Sequence, residues 1–468
     1  MHGRHTKIVA TLGPATDPEG LLDAMIAAGL DCARLNCSHG TNDDLRRRAA
    51  DVRAAAERAG RPIGLLFDLQ GPKLRLGAEV EPRGLALDET VVFCGDHAAG
   101  GDRVLVDFDG FAGLVTERSE IVIGDGVPRL SVDEVRGSDV VARVRAAGPL
   151  LPRKGINVTW ARPELPAITD KDIDDLALAA DLGADFVALS FVRSATDLEQ
   201  LRARLEAHGS QARIVAKIEK VEAYQQLDSI IEATDAVMVA RGDYGVEAGV
   251  AHVPLMQKDT IHRTTQAGKL VITATQMLES MIQSPEPTRA EAADVANAVI
   301  DGTSAVMLSA ETSVGTYPVE AVRAMADIAR AAEQAPEIHG RARGTIGETA
   351  AAAVMHAAVE LADEVDAAAL VVPTSTGGAA RACAKYRRRR PIVALAYESK
   401  AANQLTLEWG VQPVAVEVAD TVDDMIDAAL LAAREHAGLP SGARVIVTAG
   451  RQTGTPGGTN LIMVREIP

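Results

Sequence analysis

The chain has 468 residues, 47% hydrophobic and 24% charged, the balance of a soluble globular protein too long for one core. A net charge of -17 argues against a general nucleic-acid partner, although Arg, Lys and metal can still reverse the field inside a cleft. Cys32, Cys37, Cys94 and Cys383 form no CxxC pair, MHGRHTKIVATLG has no apolar leader, and no run is long and apolar enough to span a membrane; a cytoplasmic protein without membrane contact is expected.

Short β-rich runs recur along the chain, most followed by a helical pattern: 6–11, 31–36, 62–68, then, after a long gap, 184–190, 212–219, 235–240, 269–275 and 304–309. They read as parallel strands buried on both faces. Capping boxes are expected at Thr16 with Glu19 and at Thr288 with Glu291, and Thr169 precedes a helix with Asp172 in its first turn. Eight such strands predict a (β/α)₈ barrel, with a doubly wound sheet as the alternative. The polar residues at nearly every strand's C-terminal end favour the barrel, which brings those ends to one mouth. The gap holds short alternating strands with Gly and Asp turns, an inserted small β-barrel domain able to act as a lid. After about residue 345 a three-layer α/β domain begins. The expected division is a catalytic barrel at 1–72 and 155–345, a lid at 73–154 and a C-terminal domain at 346–468.

The chemistry-bearing residues lie at the strand ends. Lys217 and Glu219, two apart in ARIVAKIEK, face one side of a strand. They read either as a structural pair or as part of a site, and Asp243 after the next strand favours the site. Two carboxylates with open positions suit Mg²⁺ or Mn²⁺. Gly242 in ARGDYG permits close backbone approach, and a helix starting there can hold an anion. Arg34 and Asn36 alternate on one strand face, and Arg34 suits a phosphoryl group. Ser38, His39 and Gly40 form a polar loop, while Asp68 and Arg75 flank a Gly-Pro turn. Thr275, Ser309 and Glu311 follow later strands, where they can order a proton-delivering water, although each alone reads as structural. Met277, Leu278 and Met281 read as packing. RRRR at 387–390 reads as a solvated or interface patch. There is no G-x-G-x-x-G after a strand, no Walker A ending, no HExxH and no G-x-S-x-G. On these residues alone a metal-dependent aldolase or lyase acting on a small keto or enol acid stays open, as does a nonenzymatic effector-binding protein.

The segments TKIVATLGPAT, GLDCARLNCSHG, LLFDLQGPKLRLG, LPAITDKDIDDL, IVAKIEK, MVARGDYGVE and the long TATQMLESM to SAET stretch are together specific. On them the sequence resembles pyruvate kinases along nearly its full length. The resemblance implies phosphoryl transfer from phosphoenolpyruvate to ADP, the last step of glycolysis, in an allosteric homotetramer. It implies that Lys217 and Arg34 attend the phosphoryl group and that Glu219 and Asp243 bind the metal. Gly242, Asp243 and Thr275 would hold the substrate carboxylate, and Thr275, Ser309 and Glu311 would help protonate the enolate. Asn36, His39, Arg75, Lys154 and the lid's Asp125 would face the nucleotide. Asn36, Ser38, Asp68 and the Leu69 carbonyl match monovalent-cation ligands of potassium-dependent relatives. Lys73 stands where those relatives carry Glu, which implies a site that works without added potassium. Lys220, Tyr244 and GINVTW depart from the usual Asn, Leu and LPG. Thr374, Ser375, Thr376 and Gly377 resemble a loop for an effector phosphate.

Overall fold

The computed structural model describes residues 3–96, 101–124, 126–159, 166–335, 349–419, 421–450 and 458–468. The first three strands are β1 (Lys7–Thr11), β2 (Cys32–Asn36) and β3 (Gly64–Asp68). Nine short strands follow: β4 (Leu74–Arg75), β5 (Arg83–Leu85), β6 (Thr90–Cys94), β7 (Val104–Leu105), β8 (Glu120–Ile123), β9 (Arg129–Arg136), β10 (Asp139–Ala146), β11 (Gly148–Leu150) and β12 (Gly155–Val158). The parallel pattern resumes with β13 (Phe186–Leu189), β14 (Arg213–Ile218), β15 (Ala236–Ala240), β16 (Leu270–Ala274) and β17 (Ala305–Leu308). β1–β3 and β13–β17 close on themselves in the order β1-β17-β16-β15-β14-β13-β3-β2, an eight-stranded parallel barrel. The doubly wound alternative is excluded by that closure.

Strand parity builds the barrel's two surfaces. Val9, Cys32, Leu66, Val215, Met238 and Met307 point inward and pack on one another. Their neighbours Ile8, Ala33, Leu65, Ile214, Val237 and Val306 pack against the surrounding helices. Thr169 caps its helix in a box with Asp172, and the box at Thr288 forms as expected. The one expected at Thr16 and Glu19 does not. The Thr16 hydroxyl instead bonds back to Gly13 in a short 3₁₀ turn, and the helix Leu21–Ala28 starts after Gly20.

In the insertion, β4-β12-β8-β9-β10-β6-β7 form one sheet. A bridge between Leu76 and Val106, beyond the two outer strands, curls it into a small barrel around Phe93, Phe111, Ile121 and Leu130. The last five strands, β18 (Ala369–Thr374), β19 (Ile392–Ala396), β20 (Val411–Ala415), β21 (Arg444–Gly450) and β22 (Thr459–Glu466), form a sheet in the order β20-β19-β18-β21-β22. Helices cover both of its faces.

This sheet docks on the floor of the barrel, opposite the mouth. Leu407, from the loop before β20, is buried among the inward-facing barrel residues. Gly64 opens β3 where a Cβ would come within 2.5 Å of Thr406 Oγ1, so only glycine lets that loop approach. Arg213 pairs with Glu408 at 2.7 Å, and Arg387, first of the RRRR run, lies over Trp409 and donates to Ser304 Oγ at 2.9 Å.

Lys7 is also buried here, its Nζ donating to Val411 O at 2.6 Å. Burial lowers its pKa from 10.5 to about 8, against the pull of Asp31 and with Arg4 adding to the fall. Between those two values the unfolded chain binds more protons than the folded one, so the stability contributed by Lys7 rises with pH. We expect the thermal midpoint of the intact protein, relative to that of Lys7→Met, to climb between pH 8 and 10. Parallel curves for the two proteins would refute the assignment.

Candidate active site

Inward parity carries straight on to the mouth. Two residues beyond Cys32 stands Arg34, two beyond Leu66 stands Asp68, two beyond Ala188 stands Ser190, and beyond Val215 come Lys217 and then Glu219. The chain that fills the barrel with apolar side chains therefore ends each strand by turning a polar one to the same axis.

Lys217 is the hub. Its Nζ lies 2.6 Å from Ser190 Oγ, 3.1 Å from Asp68 Oδ1 and 3.0 Å from Glu219 Oε1. Arg34 holds the other oxygen of Asp68 through Nε at 2.7 Å and reaches Thr11 Oγ1 at 2.8 Å. Burial disfavours the Lys217 ammonium, but Asp68 and Glu219 outweigh it and hold the pKa above its ordinary value. Burial also works against the Asp68 carboxylate, and Lys217 and Arg34 together bring it below the usual range. At Glu219 the balance differs: burial raises the pKa despite Lys217, and Asp243 adds to the rise.

Asp243 lies in the first turn of the helix Arg241–Ala248, which begins directly after β15. The Gly242 N–H donates to Thr275 Oγ1 at 2.8 Å, and that hydroxyl donates to Ala274 O at 2.6 Å. Thr275 and Gln276 both have left-handed backbones, with φ of 69° and 53°, and Phe191 has φ of 55°. Three non-glycine residues so placed at one mouth mark a backbone shaped for the site at some conformational cost. The Phe191 N–H donates to Glu219 Oε2 at 2.7 Å and fixes that carboxylate.

Ser309 and Glu311 follow β17. Glu311 is buried, one oxygen accepting from Leu278 N at 3.1 Å and the other from Ser309 N at 2.7 Å. Ser309 Oγ is buried without a partner among the described residues. Both residues line a cavity of about 1210 Å³ that also touches Gly242, Asp243 and Thr275 of the barrel and Lys154 and Asn157 of the insertion. Lys220 ties the two together, donating to Asn157 Oδ1 at 3.2 Å and Glu247 Oε2 at 3.1 Å. Tyr244, where leucine is usual, is fully buried.

The remaining candidates ring the mouth. Asn36 accepts from Ser38 N at 3.0 Å and meets His39 Nδ1 at 3.1 Å. The surrounding chain, then the charges of Arg75, Arg34 and Lys73, hold the His39 pKa below its ordinary value. Arg75 donates to Arg153 O at 3.3 Å. Leu69 is buried, its carbonyl accepting from Ser190 Oγ at 2.7 Å. Lys73 Nζ lies 3.4 Å from Asp243 Oδ1; no hydrogen bond or ion pair joins it to Asn36, Ser38, Asp68 or Leu69 among the described residues. Asp125 lies outside the described residues. The loop 374–377 stands apart from the mouth, in the C-terminal sheet. There Thr374 Oγ1 accepts from Gly377 N at 3.0 Å and Arg381 donates to Thr376 O at 2.7 Å.

Sequence reading missed Ser190, Phe191 and Arg241. Ser190 carried a usable signal, since it continues the inward parity of β13. Phe191 acts through its backbone, which no residue type announces. Arg241 stood in the ARGDYG motif beside residues that were singled out.

The donor set bears on which metal would fit. No group of three or more His, Cys, Asp or Glu side chains gathers among the described residues, which disfavours a closed protein cage. Two hard carboxylates, Glu219 and Asp243, with room left for substrate oxygens and water, fit Mg²⁺ or Mn²⁺.

A closed (β/α)₈ barrel with buried lysine, arginine and paired carboxylates at its C-terminal mouth, beside an inserted β domain, defines a barrel enzyme with a charged site. The description "Pyruvate kinase, barrel domain" matches residues 3–322, and "Pyruvate kinase, alpha/beta domain" matches residues 352–465. The chain is 42% identical to a pyruvate kinase of Mycobacterium tuberculosis over 99% of this chain and 98% of that one. It is 40% identical to a pyruvate kinase of Geobacillus stearothermophilus, over 99% of this chain and 80% of that one. A Corynebacterium efficiens pyruvate kinase is 41% identical, over 98% and 97%. The chain belongs to the pyruvate kinase family.

Proposed function

We propose that this protein transfers the phosphoryl group of phosphoenolpyruvate to ADP, giving ATP and, after protonation of the enolate at carbon, pyruvate. The observation that carries this reading is the buried Lys217, held between Asp68 and Glu219 beside Arg34, and within electrostatic reach of Asp243, which lines the cavity shared by barrel and insertion. Phosphoryl transfer asks for positioning and positive charge around the transferred oxygens rather than a covalent nucleophile. Lys217 and Arg34 meet the phosphoryl oxygens. Gly242 and Asp243 N–H groups, at a helix N-terminus, receive the substrate carboxylate, with the Thr275 hydroxyl turning from Gly242 toward it. Glu219 and Asp243 would hold the Mg²⁺ or Mn²⁺, which when bound supplies further positive charge to the phosphoryl group. Thr275 and Ser309, with Glu311 fixing the Ser309 backbone, attend enolate protonation. Asn36, His39, Arg75, Lys154 and Asp125 face the nucleotide. An aldolase or lyase would have no use for a nucleotide-facing Arg75 and Lys154.

Barrel 1–72 with 155–345, lid 73–154 and C-terminal domain 346–468 remain the proposed division, with β12 carrying the lid's sheet four residues past 154. The same reading gives a homotetramer and assigns the loop 374–377 to a phosphorylated effector. No helix among the described residues is long and apolar enough to cross a membrane; the cytoplasmic location is part of the proposed reading. The deciding experiment is formation of ATP and pyruvate from phosphoenolpyruvate, ADP and Mg²⁺. Failure with Mg²⁺ and with Mn²⁺, with and without phosphorylated effectors, would reject the reading.

Lys73 bears on the monovalent cation. Its ammonium already supplies charge beside Asp243, so initial rates in KCl and in a large organic chloride at equal ionic strength should agree within about twofold. Lys73→Glu should confer potassium stimulation. Saturable activation of the unaltered enzyme by potassium would sink the idea.

A further inference from the structure

Arg241 has more hydrogen-bond partners at the mouth than any residue the proposed mechanism uses, yet none of them is a reacting group. Its Nε lies 3.3 Å from Ala274 O and 3.2 Å from Thr275 O, and its Nη2 lies 2.7 Å from Thr275 O and 3.1 Å from Gln276 O. On the other edge of the guanidinium, Nη1 donates to Asp294 Oδ2 at 2.6 Å and meets Gln257 Oε1 at 3.5 Å. Three successive carbonyls converge on one side chain because Thr275 and Gln276 are left-handed. That conformation is disfavoured for a β-branched residue such as threonine and persists only where its surroundings over-determine it. The loop then returns the Thr275 hydroxyl to the N–H of Gly242, the residue after Arg241, and the ring is closed.

We infer that Arg241 is a positioning residue: its planar fork holds the left-handed 274–276 backbone and so aims the Thr275 hydroxyl at Gly242 and the substrate carboxylate. A lysine cannot replace it, since a point ammonium does not span three carbonyls and a carboxylate at once. The inference rests on the phosphoryl-transfer reading for its kinetic consequence, but its structural half stands without it.

A double-mutant cycle tests the kinetic half. Arg241→Met should lower kcat/KM for phosphoenolpyruvate by about 30-fold or more, Arg241→Lys should recover little of that, and Arg241→Met with Thr275→Ala should be within about twofold of Thr275→Ala alone. Losses that multiply, or an Arg241→Met enzyme within about threefold of the unaltered one, overturn the inference. Hydrogen exchange tests the structural half without turnover. The Gly242 amide should exchange about tenfold faster or more in Arg241→Met while the β15 and β16 amides are unchanged; equal protection at Gly242 overturns the inference. If Arg241→Met does not fold, Asp294→Ala serves, because that side chain is 39% exposed and removing its oxygens frees Nη1 from its 2.6 Å partner. It should give the same non-additive pattern with Thr275→Ala at smaller amplitude, and additivity there again overturns the inference. Should the unaltered protein make no ATP, the proposed function fails, and exchange at Gly242 still decides the role of Arg241.

Discussion

Replacing Lys217 by methionine should lower kcat by about a thousandfold or more while moving KM for phosphoenolpyruvate only modestly. Among the described residues the ammonium is the one cation that touches both Asp68 and Glu219, and those carboxylates favour its charged form against burial. Charge fixed at the point where negative charge shifts in the transition state acts on the rate rather than on ground-state binding. Methionine fills the volume but leaves Glu219 without its cation. Removing one member of a buried charge set typically destabilises by about 3–5 kcal/mol. Arg34 still pairs with Asp68, so the barrel should stay folded at a lower thermal midpoint. Steady-state kinetics with circular dichroism on the same sample check both parts. A folded variant keeping more than about a tenth of the turnover would remove Lys217 from the chemistry.

The second large effect is expected at Glu219. Glu219→Gln keeps an oxygen for the Phe191 N–H, so the local backbone should hold. It removes half of the carboxylate pair that fits a divalent cation. Changes merely behind a metal's ligands cost about 10–100-fold in affinity, so the Mg²⁺ concentration at half-maximal rate should rise by about 100-fold or more. Mn²⁺ binding followed by electron paramagnetic resonance provides a reading independent of turnover. Unchanged Mn²⁺ affinity in Glu219→Gln would place the metal elsewhere.

Much of the barrel and of the mouth was legible because one rule serves both. A period of two along β2, β3, β13 and β14 fills the interior and then presents Arg34, Asp68, Ser190, Lys217 and Glu219 to a common axis. The eight strand segments expected from sequence all appear as barrel strands, since short apolar runs between capped helices leave the backbone few alternatives. What escaped was set by contacts that residue type alone does not announce. The Thr16 hydroxyl, instead of accepting from the Glu19 N–H, exchanges hydrogen bonds with the backbone of Gly13 in a tight turn. Phe191 contributes an N–H, and Arg241 reads carbonyls, and neither role follows from the side chain's class. The ion pair of Lys73 with Asp243 joins residues 170 positions apart.

Leu407 completes the interior of a barrel whose own strands do not fill it. The floor of the enzyme is therefore borrowed from the chain that follows. A protein ending before residue 349 would contain all eight barrel strands and still expose an apolar hole beneath the site. Lys7, Arg213 and Arg387's acceptors at Thr303 and Ser304 would lose their partners at the same time. Such a fragment would be prone to aggregation, and recombining family members at that junction would succeed only when floor and plug come from the same parent.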